Sequence, residues 1–140
     1  MNLNPAAKYV HENYQIIDND LNYYYKVIID KKYYTILIIG NKGLMIWPQM
    51  SSFNFTNKQY NQRLVDNYRL CSILNLGPKL YQSIDIEDYT ILIMEYLPYQ
   101  ATEELVNNYP DTFKSFVANM HNLGIFHGDL HTGNFRLKNN

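Results

Sequence analysis

The chain has 140 residues, of which 46% are hydrophobic and 18% are charged, and its formal net charge is -1. This length suits a single domain, and the apolar content is enough for a hydrophobic core. A net charge near zero excludes a global field that would steer the protein to nucleic acid or to an anionic membrane. The single cysteine, Cys71, excludes an internal disulfide.

The N-terminal residues and the longest apolar run bear on localisation. Residues 1–15 lack the basic patch and following apolar run of a signal peptide, and residues 36–39 are too short a run to cross a bilayer. We therefore expect a cytoplasmic or otherwise intracellular protein, with no membrane partner and no indication of a nucleic-acid partner. Cys71 lies in a hydrophobic segment, so we expect a small buried side chain and not a nucleophile.

The first part of the chain predicts one helix followed by strands. Asn4-Pro5 is typical of a helix start, and Ala6, Val10 and Ile17 would line one face of that helix. Three runs rich in β-branched and aromatic residues then predict strands, over residues 22–29, 33–39 and 44–47.

The sequence also predicts two turns and a long helix. Asp30-Lys31-Lys32 predicts one tight hairpin turn, and Gly40-Asn41-Lys42-Gly43 predicts the next. Residues 58–76 predict a helix, which Gly77-Pro78 would end through a left-handed cap. Its apolar face would carry Tyr60, Leu64, Tyr68, Cys71 and Leu74.

The rest of the chain predicts two strands and two helices. The strands span residues 80–84 and 89–96, around a turn at residues 85–88. Thr102 begins one helix and Asp111 caps the other. The inward side chains of the last helix would be Phe113, Phe116, Val117, Met120 and Leu123. Five antiparallel strands crossed by one helix form an α+β layer.

Residues 127–134, His127-Gly128-Asp129-Leu130-His131-Thr132-Gly133-Asn134, concentrate side chains that bind protons or metals. In one interpretation they make only local hydrogen bonds. In a second, His127, Asp129 and His131 bind a divalent metal, since their spacing suits one face of a strand. In a third, Asp129 accepts the proton of an attacking hydroxyl and Asn134 holds magnesium, with the HxDxxxxN spacing of a phosphotransferase loop.

This motif resembles the HGDLHxGN loop of atypical protein-kinase-like phosphotransferases, which include RIO-type, choline-kinase-like, aminoglycoside-kinase-like and lipopolysaccharide-kinase-like families. Leu76-Gly77-Pro78-Lys79-Leu80-Tyr81 resembles their link between helix C and the fourth strand. Met94-Glu95-Tyr96-Leu97-Pro98 resembles the fifth strand and hinge. Asn119-Met120-His121-Asn122-Leu123-Gly124-Ile125 resembles the end of the helix before the catalytic loop. The resemblance covers about residues 22–138.

The resemblance implies an α+β fold with a protein-kinase-like small lobe, made of a five-stranded antiparallel sheet and one helix C, followed by a minimal helical part of the large lobe. It implies an N-terminal segment at residues 1–20, the small lobe with its hinge at residues 21–98, and a partial large lobe at residues 99–140 that ends at the catalytic loop.

The resemblance also implies a set of site residues. Asp129 would be the catalytic base, Asn134 a magnesium ligand and His127 the anchor of the loop. The backbone of Glu95, Tyr96 and Leu97 would meet adenine. Asp66 is the best candidate on helix C for the carboxylate that holds a phosphate-binding lysine, and it is equally read as a solvated helix residue.

Several elements of the family pattern are missing. The turn Asp30-Lys31-Lys32 has no glycine, Trp47 stands where the third strand should carry the phosphate-binding lysine, and Lys42 is a poor substitute. No aspartate follows the loop as the family's main magnesium ligand, because the sequence ends at Asn140. Without these groups most of the charge stabilisation of phosphoryl transfer is lost. The chain is then a minimal kinase-like protein or a fragment of a longer one.

We therefore expect a catalytically impaired pseudokinase that acts as a protein-binding or regulatory module, with a protein partner or a second copy covering its apolar surface. The alternative is a phosphotransferase, a protein or small-molecule kinase, that uses the 127–134 loop with ATP and magnesium as cofactors. A second alternative is a metal-binding protein through His127, Asp129 and His131.

Overall fold

The computed structural model of the protein describes residues 3–40, 57–100, 102–123 and 136–137. The chain divides into two compact units, Met1–Tyr96 and Leu97–Asn140. The first unit contains α1 (Pro5–Asn13), β1 (Gln15–Asp20), β2 (Tyr24–Ile29), β3 (Lys32–Gly40), α2 (Asn57–Ile73), β4 (Leu80–Ile86) and β5 (Tyr89–Glu95). The second contains β6 (Tyr99–Gln100), α3 (Glu103–Asn108), α4 (Pro110–Asn122) and β7 (Arg136–Leu137).

The first unit is built on a five-stranded sheet with the order β1-β2-β3-β5-β4. All of its neighbouring strands are antiparallel. The next described element after β3 is α2, after which the chain forms the edge strand β4 and returns as β5 between β3 and β4. The prediction of an α+β protein with a five-stranded antiparallel sheet is therefore confirmed.

The strands of this sheet are not all the predicted ones. Residues 15–20 form the edge strand β1, so the placement of Ile17 on the first helix is wrong. The helix ends at Asn13, and Tyr14 already has an extended backbone. The predicted strand at residues 44–47 and the turn residues 41–43 lie outside the described residues. Gly40, predicted in that turn, is the last residue of β3.

Two tight turns set the register of the first three strands. Asp30 and Lys31 have φ angles of 50° and 69°, and Leu21 and Asn22 have φ angles of 53° and 58°. Positive φ at both central residues is the geometry of a two-residue hairpin loop, which Asp30 and Lys31 form. Leu21 and Asn22 belong to a three-residue loop, because Asp20 pairs with Tyr24. The predicted turn at residues 30–32 is confirmed, since Ile29 pairs directly with Lys32.

The sheet carries one hydrophobic cluster on each face. On one face, α1 packs against the sheet through Ala6, Ala7 and Val10, which are fully buried. On the other, Val65 of α2 packs against a set of sheet residues, which are Ile39, Leu92 and Met94. Successive strand residues project to opposite faces. The buried residues 91–94 of β5 therefore contribute alternately to the two clusters. The first unit has three layers, which are α1, the sheet and α2.

The helix starts follow the predicted capping in two of three cases. The Asn4 side chain accepts a hydrogen bond from the Ala7 N–H at 2.7 Å. The Thr102 hydroxyl oxygen accepts one from the Leu105 N–H at 3.1 Å. The prediction that Asp111 caps α4 is wrong, because Tyr109 is the N-cap and Pro110 takes the first helical position. Asp111 lies in the first turn, where its charge complements the helix dipole.

The end of α2 differs from the prediction that Gly77 forms a left-handed cap. Asn75 has a φ of 58° and takes the left-handed position. The Leu76 N–H donates to the Cys71 carbonyl oxygen at 2.8 Å, and the Asn75 N–H donates to the Ser72 carbonyl oxygen at 3.4 Å. This pair of bonds is the Schellman motif, which asparagine tolerates. Gly77 instead allows the chain to pass close to Cys71, because a Cβ at this position would lie 3.1 Å from the Cys71 Cβ.

In the second unit, α3 packs against α4. Met120 is buried, and Phe113 and Val117 are partly buried. The prediction that Phe116 and Leu123 also point inward is wrong, because they are 36% and 45% exposed. The buried face of α4 is therefore narrower than the predicted five-residue face, and Phe116 and Leu123 lie outside it.

Tyr25 carries a polar atom that the fold leaves unsatisfied. Its side chain is fully buried under α1, and among the described residues its hydroxyl is the one buried side-chain polar group without a hydrogen-bond partner. Its ring contacts the His11 ring edge-on, with centroids 5.6 Å apart. Burial raises the pKa of this hydroxyl.

We expect Tyr25→Phe to raise the free energy of unfolding by about 1 kcal/mol, since an unpaired buried hydroxyl costs that much or more and the ring contacts are kept. Urea titration of the two proteins measures the difference. Tyr25→Leu serves as the control, because it removes the ring as well and should destabilise the protein. A less stable Phe variant would mean that the hydroxyl has a partner.

Candidate functional site

The predicted catalytic loop, with His127, Asp129 and Asn134, lies outside the described residues, but the chain on either side of it is described. Before the loop, α4 ends at Asn122. After it, β7 forms an antiparallel ladder with β6, in which Tyr99 pairs with Leu137 and Gln100 pairs with Arg136. The segment just after the loop is therefore hydrogen-bonded to the segment just after the predicted hinge. These strands were not predicted, because two-residue strands leave no periodic pattern.

Glu95, the first residue of the predicted hinge, ends β5. Its N–H donates to the Lys79 carbonyl oxygen at 2.8 Å, and its carboxylate accepts from the Lys79 N–H at 3.3 Å. These two bonds fasten the end of β5 to the link that precedes β4. The Glu95 N–H is thus used within the protein and is not available to an adenine ring. Leu97, the third hinge residue, is partly exposed.

Tyr96, the middle residue of the predicted hinge, belongs to an aromatic cluster with a lysine. The Lys26 Nζ lies 4.3 Å from the centroid of the Tyr33 ring and 4.7 Å from that of the Tyr96 ring. The two ring centroids are 6.0 Å apart, with the planes inclined by 61°. Lys26 and Tyr96 are partly exposed, and Tyr33 is 48% exposed. We call Lys26, Tyr33 and Tyr96 the tyrosine–lysine cluster.

Strand register shows which face of the sheet carries this cluster. Lys26 pairs with Thr35, and Thr35 pairs with Met94. Residues directly opposite each other in neighbouring strands project to the same face. Met94 packs against α2, so Lys26 lies on the face that α2 covers. Sequence reasoning missed Lys26, and its signal was a single charge within the apolar strand 24–29.

Asp66, the candidate partner of a phosphate-binding lysine, lies on the outer side of α2 with its side chain 61% exposed. It accepts a hydrogen bond from the Gln62 side chain at 2.9 Å and forms an ion pair with Arg69 at 3.9 Å. Both partners are on α2 itself, so these contacts form an exposed network along the helix surface. The pairing of Asp66 with a phosphate lysine stays a prediction.

A reactive thiol and a metal site are two further possibilities for chemistry by this protein. Cys71 is a free, partly exposed thiol, and burial raises its pKa, which disfavours the nucleophilic thiolate. In the part of the chain that the structure describes, no three His, Cys, Asp or Glu side chains are grouped so that they could hold a metal ion. The predicted metal set of His127, Asp129 and His131 lies outside that part.

Comparison of the sequence with protein-family models gives no match, and comparison with curated proteins gives none either. Among the helices of the described ranges, none combines the length and the apolar character needed to cross a membrane.

Proposed function

We propose that the chain is a protein-kinase-like domain that is catalytically impaired and acts as a protein-binding or regulatory module. The observation that carries the proposal is the order of elements around the motif. Within the described residues, three antiparallel strands precede α2, two more strands follow it, and the chain then enters the Glu95–Leu97 segment. This is the order that the kinase-like resemblance implies, with α2 in the position of helix C.

The ladder of β6 and β7 supports the same proposal. In a kinase-like site the catalytic loop must lie near the hinge. The loop carries the groups that act on the phosphates, and the hinge holds the adenine of the same nucleotide. Here β7, which begins two residues after Asn134, pairs with β6, which begins two residues after Leu97. This pairing joins the chain that follows the motif to the chain that follows the predicted hinge.

The impairment is argued from the first three strands. The turn between β1 and β2 is made of Leu21, Asn22 and Tyr23, without the glycines that let backbone amides approach phosphates. The third strand, β3, has a lysine only at its exposed first position, Lys32. Loss of one preorganised donor costs about 2.7–4 kcal/mol of transition-state stabilisation. Missing both of these groups makes phosphoryl transfer by this chain too slow to be its function.

The binding role is argued from exposed apolar side chains. Leu70 and Ile73 lie one turn apart at the end of α2, Leu74 directly follows the helix, and all three are exposed. Ile73 is the most prominent, with 76% of its surface exposed. Exposed apolar side chains grouped in this way are typical of protein–protein contacts.

A phosphotransfer assay tests the impairment. We expect the wild-type protein with Mg-ATP to transfer or hydrolyse phosphate no faster than Asp129→Asn and Asn134→Ala. Casein, choline and water serve as acceptors, and radiolabelled ATP gives the sensitivity. A wild-type rate clearly above both variants would overturn the impairment and establish the phosphotransferase alternative.

Self-association tests the binding role. We expect the protein to sediment as a concentration-dependent dimer, and Ile73→Glu to shift it to the monomer, because a charge cannot be buried in an apolar contact. Leu21→Glu is the matched control, since Leu21 is 80% exposed and lies in the distant β1–β2 turn. A wild-type protein that stays monomeric at all concentrations would contradict a self-associating module.

A further inference from the structure

We propose that β4, an edge strand of the five-stranded sheet, is the surface through which the chain pairs with a second copy of itself, antiparallel about a twofold axis. The sheets of the two copies would then continue into each other through their β4 strands. The proposal deepens the binding role and rests on the self-association proposed for it, because it names the partner and the contact. The residues that carry it all lie in the first unit.

The first observation is the free edge of β4. The strand has β5 on one side, and among the described residues no strand lies on its other side. An edge strand presents a row of backbone N–H and C=O groups to which a strand of another chain can pair. The irregularity of β4 lies at its start, between Leu80 and Gln82, and its register from Gln82 to Ile86 is continuous. Tyr81 and Asp85 are exposed along it.

The second observation is the distribution of charge along β4. Lys79 directly precedes the strand, and three acidic residues lie at or just after its end, which are Asp85, Glu87 and Asp88. All four residues are exposed. Antiparallel pairing brings the start of one strand against the end of the other, so the lysine of each copy meets the acidic residues of its partner. A twofold axis makes this contact twice, and β4 is therefore complementary to itself.

The third observation is that the opposite edge of the sheet lacks this complementarity. The edge strand β1 carries Asp18 and Asp20 and no lysine or arginine, and both aspartates are exposed. Pairing of two β1 strands would bring like charges together, which destabilises a strand pair. Charged side chains on an edge strand commonly prevent such pairing. Of the two edges, β4 is the one that suits a second copy.

The fourth observation is the position of α2 beside this edge. The Arg69 guanidinium donates a hydrogen bond to the Ser83 hydroxyl oxygen at 2.8 Å. The Leu80 N–H donates one to the Ser72 hydroxyl oxygen, also at 2.8 Å. These two bonds hold the last turns of α2 along β4. The exposed Ile73 directly follows Ser72, so pairing of β4 brings the apolar end of α2 close to the interface, where its burial adds to strand pairing.

An exchange of charges between two variants tests the pairing by sedimentation. We expect Lys79→Glu and the double variant Glu87→Lys/Asp88→Lys each to raise the Kd of the dimer by about tenfold or more, since both contacts change from attraction to repulsion. An equimolar mixture of the two variants should recover the dimer, because both contacts between unlike chains again join opposite charges. Lys31→Glu, in the exposed β2–β3 turn, is the matched control and should leave the dimer unchanged.

Amide hydrogen exchange of the wild-type protein locates the contact without any substitution. Dimer formation should slow exchange within residues 80–86 of β4 and leave residues 15–20 of β1 unchanged, because only the β4 amides gain partners. Urea unfolding of each charge variant shows that it is folded, so that a lost dimer reports the interface.

A dimer whose β4 amides exchange as fast as those of the monomer would overturn the edge pairing. Folded charge variants that keep the dimer, or that fail to recover it when mixed, would overturn it as well. In these cases the self-associating module itself would stand. A wild-type protein that stays monomeric at all concentrations would contradict both, so the two failures are distinct.

Discussion

Gly40→Ala is expected to lower the free energy of unfolding by about 1–3 kcal/mol, the usual cost of forcing an extra carbon into a packed core. Gly40 ends β3 and pairs with Tyr89 of β5. The Tyr89 ring lies over the glycine so closely that an added Cβ would overlap its Cδ1 and Cε1 atoms. Gly40→Val adds two more methyl groups in the same place, so its effect should be larger still. Urea titration measures both.

A double-mutant cycle separates this overlap from the general cost of changing a strand residue. Tyr89→Ala removes the obstructing ring, so Gly40→Ala should cost far less in the Tyr89→Ala background. Gly77→Ala is the matched control, because its Cβ would meet the Cys71 Cβ at 3.1 Å, a contact that a small shift relieves. Equal costs of Gly40→Ala in both backgrounds would contradict the overlap.

The parts of the fold that were predicted correctly are those where local pattern and tertiary structure agree. The hairpin at Asp30-Lys31, the cap at Asn4 and the strands in the middle of the sheet each follow from a few neighbouring residues. Central strands are rich in β-branched residues because both of their faces are buried. That composition is visible in the sequence without knowledge of the partner strands.

The strand β1 could not be predicted in the same way. Its sequence ends in Asp18, Asn19 and Asp20, which are residue types depleted in strands, and most of its side chains are exposed. It is a strand because β2 offers an unpaired row of backbone groups along its edge. Such a cause lies in long-range pairing, which the local sequence does not show. The five predicted strands did not include β1, and they included residues 44–47, which lie outside the described residues.

The tyrosine–lysine cluster was missed for the same physical reason. Lys26 and Tyr33 are seven positions apart, and Tyr96 is far from both along the chain. Only the antiparallel registers of β2, β3 and β5 bring the three side chains together. The motif at residues 127–134 could be recognised from the sequence, because all of its informative residues lie within eight consecutive positions. Local spacing therefore revealed the loop and left the cluster unseen.

Stability at alkaline pH is expected to fall mainly because of Tyr68. This side chain of α2 packs against the cluster of Ile39, Leu92 and Met94. Burial, with smaller contributions from the nearby Tyr24 and Cys71, raises the pKa of Tyr68 from 10.0 to about 12. The folded protein thus keeps a proton that the unfolded chain gives up.

The direction of the effect follows from proton linkage. Below pH 10 the Tyr68 hydroxyl is protonated in both states, so its contribution does not change with pH. Between pH 10 and about 12 the unfolded chain loses the proton while the folded protein retains it, so the free energy of unfolding falls as pH rises. One group contributes at most about 1.4 kcal/mol per pH unit, or roughly 2.7 kcal/mol over this window.

Urea titrations across this window should therefore show a steep loss of stability in the wild-type protein and a shallower loss in Tyr68→Phe. Some decline remains in the variant, because burial also raises the pKa values of Tyr14 and Tyr25. The difference between the two proteins at neutral pH gives the cost of removing the hydroxyl itself, so only the difference in slope reports the ionisation. Parallel declines would mean that the Tyr68 hydroxyl reaches solvent, and that α2 packs less closely on the sheet than its contacts with Leu92 and Met94 require.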